Sequence, residues 1–215
     1  RLGYVERQLP AFHTAARADD MDPEAGLDRL QAQSVLRQRE QRRFEGFHHL
    51  PRLDLTEISA LLARGAGGPF ARQCGEVLAR LHQTDVKASG LDQFLDTFDA
   101  EHTVRKTHAA YLELETSQPM IDFVAMWLLK NLPKDQRTTL VHSDFRNGNF
   151  IVQPGKGIVA VLDWELAHIG DPMRDLGWLV TRSWRFGVKD KPVGGFGEID
   201  DLVAGYEAAS GETVD

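Results

Sequence analysis

Cysteine is almost absent from the 215 residues: Cys74 stands alone. That excludes a disulfide framework and any Cys-based zinc cluster. Long apolar runs are missing too. No stretch of about 18 apolar residues occurs, so the sequence predicts no membrane-spanning helix. The opening segment, RLGYVERQLPAFH, lacks the apolar core of a signal peptide. These absences point to a reducing, cytoplasmic setting without a membrane partner. Positive charge is in deficit, with 25 Lys and Arg against 32 Asp and Glu, a net charge of −7. A nucleic-acid partner is therefore not expected, because such binders draw their affinity from cations on phosphate. Lysine is missing altogether before Lys87.

What is present is an ordinary globular composition, 42% hydrophobic and 27% charged. A chain this long buries roughly 70% of its unfolded surface, so it needs no staples. Residues 1–70 read as a helical and loop segment of unclear role. Asp22-Pro23 suits the cap and first position of a helix. That helix runs over 23–47, with Leu27, Leu30, Val35, Leu36, Phe44 and Phe47 on one face and Arg and Gln on the other. A short helix follows at 55–62, and ARGAGGPF (63–70) reads as a linker.

A second domain is expected over 71–215. The spacing of Cys74, Val77, Leu78 and Leu81 predicts a helix over 71–83, with Cys74 as a small buried hydrophobe. His82, at its end, reads as a packing or capping residue. Further helices are predicted at 97–114 and 119–129. The period then shortens. Strands are predicted at 138–141, 149–152 and 158–162, the last two joined by a Pro-Gly turn into a hairpin. Asp171-Pro172 opens a helix to about residue 182, with Asp171 as its cap and His168 in the turn before. KPVGGFG (191–197) reads as a flexible link, and a final helix covers 199–209. Trp164, Trp178 and Trp184 are expected to pack the core, unless one of them faces a substrate.

The chemistry concentrates in LVHSDFRNGNFIVQPGKGIVAVLDWELAHIGDP. A hairpin brings its ends together, so Asn149 and Asp163 should lie close, with Asp144 in the loop beside them. Two carboxylates and a carboxamide make a hard, oxygen-rich site suited to Mg²⁺ that also binds phosphates. A metal-dependent phosphohydrolase using His142, Asp144, His168 and Asp171 is a weaker alternative. The sequence has neither a His-Asp dipeptide nor an H-E-x-x-H motif.

The run His142-x-Asp144-x-x-x-x-Asn149 falls in register with the kinase catalytic loop, and Asp163 follows a hairpin as a kinase metal-binding aspartate does. Ser143 and Trp164-Glu165 depart from the protein-kinase pattern. The segment resembles the aminoglycoside phosphotransferase and choline kinase-like family of small-molecule kinases. Within it, VHSDFRNGNF, VLDWELAHIGDP and RDLGWLV look most like the phosphotransferase domains related to those fused to acyl-CoA dehydrogenases. The close match covers about 138–198, with weaker similarity from about 71.

The resemblance implies an α+β fold: a protein-kinase-like C-terminal lobe, mainly helical, with a small hairpin carrying the catalytic and metal sites. It also implies transfer of the γ-phosphate of ATP (or GTP), with Mg²⁺, to a hydroxyl of a small molecule. Asp144 would be the base and Arg146 would steady the moving phosphoryl group. Asn149 and Asp163 would hold the metal and nucleotide, with Glu165 either assisting the metal through water or pairing with a basic neighbour. His142 and Asp175 would support the loop. Fusion or association with further domains is implied as well. The N-terminal lobe is expected to be absent or incomplete, since 1–86 lacks lysine and a convincing run of strands, and the C-terminal end truncated, since residues 210–215 stop just after a helix where relatives usually continue. A non-catalytic, pseudokinase-like binding module is the alternative.

Overall fold

Small residues explain the central helix packing. In the computed structural model, which describes residues 60, 64–114, 116–133, 137–153 and 155–214, the first long helix is α1, Gly67–His82. Phe70, Ala71, Cys74, Leu78 and Ala79 recur at helical spacing along it and are buried. Its Gly75 faces the backbone of the last helix, α5, Ile199–Ser210. A Cβ there would strike the carbonyl of Leu202, and a Cβ on Gly205 would strike the carbonyl of Arg72. The two glycines thus let α1 and α5 pack backbone to backbone. Leu202 and Tyr206 complete this interface as part of the core.

Contacts divide the chain into two units, with Glu101–Leu132 in one and the other described residues in the second. The first holds α2, Ala100–Leu112 (all but its first residue), and α3, Pro119–Lys130. His108 bonds Asp122 at 2.7 Å, and the amide of Gln118 donates to the Tyr111 hydroxyl at 2.6 Å. The predicted helices at 97–114 and 119–129 are these two.

In the second unit, β1, Thr139–Val141, pairs antiparallel with β4, His168–Gly170, in register Leu140 to Ile169. The hairpin consists of β2, Phe150–Gln153, and β3, Gly157–Val161. Gln73 of α1 clamps its turn, donating to Lys156 O at 2.8 Å and accepting from Ile158 N at 2.9 Å. Helix α4, Met173–Leu179, follows β4. Asp171 Oδ1 accepts from the Met173 amide at 2.9 Å, the capping role expected of it. Phe145, Phe150, Leu176 and Leu179 join the α1–α5 core. This is the predicted α+β fold, helix-rich with small antiparallel pairs.

Four expectations change. Gly67–Phe70 is the first turn of α1, not a linker. Residues 168–170 form a strand, not a turn, because their partners are distant in sequence: β1 and the segment at 96–98, where Phe98 donates to Ile169 O at 2.8 Å. Helix α4 stops at Leu179, short of residue 182, since the chain turns extended at Thr181. The carbonyls at its end are taken by other groups, Leu179 O by Gly194 N at 3.1 Å and Val180 O by Arg185 Nη2 at 2.8 Å. The segment at 191–197 is no flexible link. Val193 and Phe196 are fully buried, Phe196 packs edge-on against Phe70, and Asn147 Nδ2 donates to Gly194 O at 2.5 Å.

Cys74 is buried as expected, and burial pushes its thiol far up. No helix among the described residues is long and apolar enough to cross a membrane. The predicted helices at 23–47 and 55–62 (all but residue 60), and with them the expectation about an N-terminal lobe, lie outside the described residues.

Candidate active site

The site grows from β1. Immediately after that strand the chain turns sharply: Ser143 adopts φ +69°, a left-handed conformation that costs a non-glycine residue energy. The cost is met by Asp175 on α4, which is fully buried. Its Oδ1 accepts from Ser143 N at 2.7 Å and its Oδ2 from His142 N at 2.8 Å. His82, at the end of α1, donates from Nε2 toward the same carboxylate at 3.2 Å and bonds the Tyr206 hydroxyl through Nδ1 at 3.0 Å. One buried aspartate therefore ties α1 and α4 to the loop.

His142 links that loop to the hairpin. Its Nε2 donates to Leu162 O at 2.9 Å, and its Nδ1 accepts from Asp144 N at 3.1 Å. Both roles are filled at once only by the neutral ring. Burial pushes its pKa down, partly offset by the nearby carboxylates of Asp175, Asp144 and Asp163. Trp164, whose ring lies 4.6 Å from the imidazole, packs against it and donates to Val161 O.

Asp144 is the most heavily bonded side chain of the site. Oδ1 accepts from Arg146 Nε at 2.9 Å and from Trp178 Nε1 at 2.8 Å. Oδ2 accepts from Asn149 Nδ2 at 2.7 Å, with Arg146 Nε at 3.1 Å. Asn149 Nδ2 also donates to Asp144 O at 2.9 Å. Arg146 reaches Asn147 O and lies over the ring of Trp184 at 4.4 Å, a cation–π contact. Asp144 and Arg146 keep 13% and 25% of their side chains exposed, enough to meet a small molecule.

The hairpin delivers the remaining candidates. Leu162 N donates to Asn149 O at 2.7 Å, so the residue before Asp163 is paired with Asn149. Asp163 itself takes φ +68° and is exposed. Glu165 is exposed on the turn that follows. The donor set fits a hard divalent cation. The Asn149 amide nitrogen is committed to Asp144, which leaves its carbonyl oxygen free to serve a cation, and the exposed Asp163 directly follows Leu162, the backbone partner of Asn149.

The structure thus brings Asp144, Arg146 and Asn149 into direct contact, and places His142 and Asp175 behind them. The phosphohydrolase grouping does not assemble. His168 Nδ1 is on Ser143 Oγ at 2.9 Å, and Asp171 caps α4. Among the described residues no three His, Cys, Asp or Glu side chains are grouped to hold a metal.

Three contributors escaped the sequence reading. Trp178 and Trp184 were expected in the core, yet they contact Asp144 and Arg146 and lie 5.5 Å from each other. For Trp178 a signal existed: it follows Asp175 by three residues, which puts both on one face of α4. Trp184 carried none. Asn147 is buried and pins the segment around Trp184 and Gly194, which its position in a polar loop did not reveal.

A helix-rich lobe whose hairpin closes on a His-x-Asp loop defines the C-terminal lobe of a kinase-like phosphotransferase. The chain belongs to the phosphotransferase enzyme family, whose profile matches residues 29–211. Acyl-CoA dehydrogenase family member 10 of Mus musculus is 42% identical over 106 residues, 48% of this chain and 10% of that protein. Family member 11 of Homo sapiens is 33% identical over 107 residues, 47% of this chain and 14% of that protein. A solved structure from Ralstonia eutropha JMP134, assigned to the aminoglycoside phosphotransferases, matches with a TM-score of 0.57 and 27% identity. It covers 70% of this chain, which spans 49% of it. Macrolide 2′-phosphotransferase type I shares the fold, with a TM-score of 0.52 and 19% identity over 67% of this chain and 45% of that one. The curated relatives are thus far longer than the chain, which matches only a small part of each.

Proposed function

We propose that the protein transfers the γ-phosphoryl group of a nucleotide, ATP or GTP, to a hydroxyl of a small molecule. The observation that carries this reading is the convergence on Asp144 of Asn149, Arg146 and Trp178. Phosphoryl transfer needs mainly positioning and charge neutralisation. Asp144 orients the acceptor hydroxyl and takes its proton. Its oxygens are filled here, and Arg146 is the partner on a long, partly exposed side chain. When Arg146 swings off, the acceptor hydroxyl takes its place and the guanidinium turns to the phosphoryl charge. Asn149 Oδ1 and Asp163, with Glu165 assisting, would hold Mg²⁺, which when bound neutralises the nucleotide phosphates. His142 and Asp175 keep the loop in its strained shape.

Membership of the phosphotransferase enzyme family supports this reading, as does the 27% identical neighbour assigned to the aminoglycoside phosphotransferases. The relatives named as acyl-CoA dehydrogenases favour a hydroxyacyl or similar metabolite over an antibiotic as acceptor. They also favour a protein in which this lobe works alongside further domains. Calorimetry with Mg·ATP tests the donor half. Binding is expected, and Asp163→Ala should weaken it at least tenfold. Unchanged binding in that variant would remove Asp163 from the metal site.

A second reading, a non-catalytic binding module, rests on the absence of lysine from residues 1–86. Kinases pair such a lysine with the nucleotide phosphates. Folded protein that binds no Mg·ATP would favour it.

A further inference from the structure

A basic concavity lies next to the site and has no role in the scheme above. Arg182, Arg185, Gly187, Val188 and Lys189 line a space of about 390 Å³. Three of its five lining residues are cations and none is an acid. Asp190 is exposed beside Lys189 but does not line the space, and Lys191 is already paired with Glu198 at 2.6 Å. In a chain of net charge −7, such a concentration is a local reversal of sign that gathers anions.

The backbone and the buried polar atoms around the same turn point the same way. Phe186, a large non-glycine residue, is held at φ +46° between Arg185 and Gly187. Strain of this kind clusters where a ligand is gripped. The buried side-chain polar atoms without a partner, among the described residues, are Arg137 Nε and four at this turn: Thr181 Oγ1, Trp184 Nε1, Arg185 Nε and Asn147 Oδ1. Asn147 belongs to the turn because its Nδ2 donates to Trp184 O at 3.1 Å. Buried polar atoms of native proteins are almost always satisfied, so a concentration of four marks a place that water or a ligand completes. Three of the four are donors or can donate, as an anion requires.

The turn also connects to the reacting end. Trp184 carries Arg146 on its ring and packs against Trp178, and both of those residues bond Oδ1 of Asp144. Asn149, on the metal side, bonds Oδ2. Arg146 also reaches Oδ2 at 3.1 Å, so the donor half and the basic turn meet at the one carboxylate of Asp144.

We propose that the Arg182–Lys189 turn binds a phosphate group carried by the acceptor, so that the substrate is a phosphate-bearing hydroxylated molecule. This rests on the phosphotransferase reading for its word "acceptor", while the anion site stands by itself. Arginine suits the task because its planar fork meets phosphate oxygens two at a time.

The test is a titration of the 215-residue chain with inorganic pyrophosphate, followed by ¹H–¹⁵N NMR at the Arg185 Nε–H and the Trp184 indole N–H. Both resonances should shift and saturate. Arg182→Gln combined with Lys189→Gln alters two side chains at the turn and should weaken the effect at least tenfold. Asp144→Ala should leave it in place. Absence of saturation, meaning that the turn holds water only, overturns the proposal, and so does an unchanged titration in the double variant. Mg·ADP supplies the second arm. Pyrophosphate should still saturate the reporters in its presence. Competition between the two would assign the turn to the nucleotide and overturn the acceptor role. Failure of the phosphotransferase reading looks different: Mg·ADP shows no effect at Asn149 or Asp163 while the pyrophosphate shifts persist.

Discussion

The indole of Trp178 donates to Oδ1 of Asp144 at 2.8 Å, from the helix that also carries Asp175. A single short helix therefore fixes both the backbone of the 142–149 loop, at His142 and Ser143, and the Asp144 side chain that follows. The indole is a donor only, so it holds the carboxylate without competing for its proton. Trp178→Phe keeps the ring's bulk and removes the bond. Hydrogen bonds to charged groups contribute about 1.5–3 kcal/mol, so turnover should fall roughly tenfold to a hundredfold. The loss should appear in kcat more than in the KM for nucleotide, with the unfolding midpoint little changed. A variant with full turnover would reduce Trp178 to packing.

Asp175 is the residue whose loss should most damage the fold around the site. Asp175→Ala leaves the amides of His142 and Ser143 buried without acceptors, at roughly 1–3 kcal/mol each. Chemical denaturation should show a loss of about 3 kcal/mol or more. Asp175→Asn keeps one accepting oxygen and should lose about half as much. Equal losses in the two variants would contradict the two-oxygen account.

Two glycine substitutions should move stability in opposite directions. Gly75→Ala drives a methyl into the Leu202 carbonyl of α5, a backbone atom that cannot step aside. Overpacking of this kind costs about 1–3 kcal/mol. Gly177, on α4, has ordinary helical backbone, and a methyl added there would meet nothing within 4 Å. Gly177→Ala should stabilise by about 0.5–1 kcal/mol. Thermal melts of the two variants check both signs.

The buried His142 makes stability depend on acid pH. Its folded pKa is depressed from 6.5 by burial, so below pH 6.5 the unfolded chain takes up a proton that the folded chain resists. The contribution is complete above about pH 6.5 and is lost as pH falls toward the lower folded value. Urea midpoints at about pH 5 and about pH 7.5 should differ more for the natural chain than for His142→Gln. Equal pH dependence would place the origin in another group.

Much of this site was legible in the sequence because its chemistry is local. His142, Asp144 and Asn149 lie within eight residues, and the Pro-Gly turn announces the hairpin that carries Asp163. The helix α1 was legible from the recurrence of Cys74, Leu78 and Leu81. What escaped depends on contacts between distant segments. Strand β4 exists through β1 and the segment at 96–98. The 191–197 segment, rich in glycine, read as a flexible link, but its glycines allow close packing against Ala71, Arg185 and Asn147. Trp184 reaches Arg146 only because that packing sets the turn it sits on.

The assignment of Asp144 as the base that orients the acceptor hydroxyl is tested most directly by nucleotide consumption. The protein would be assayed with Mg·ATP against a panel of hydroxylated metabolites, natural sequence beside Asp144→Ala. General-base and orienting groups contribute about 10²–10⁴-fold. The account predicts acceptor-dependent consumption that falls by about that factor in the variant, with an unchanged circular dichroism spectrum. Turnover retained in Asp144→Ala would contradict it.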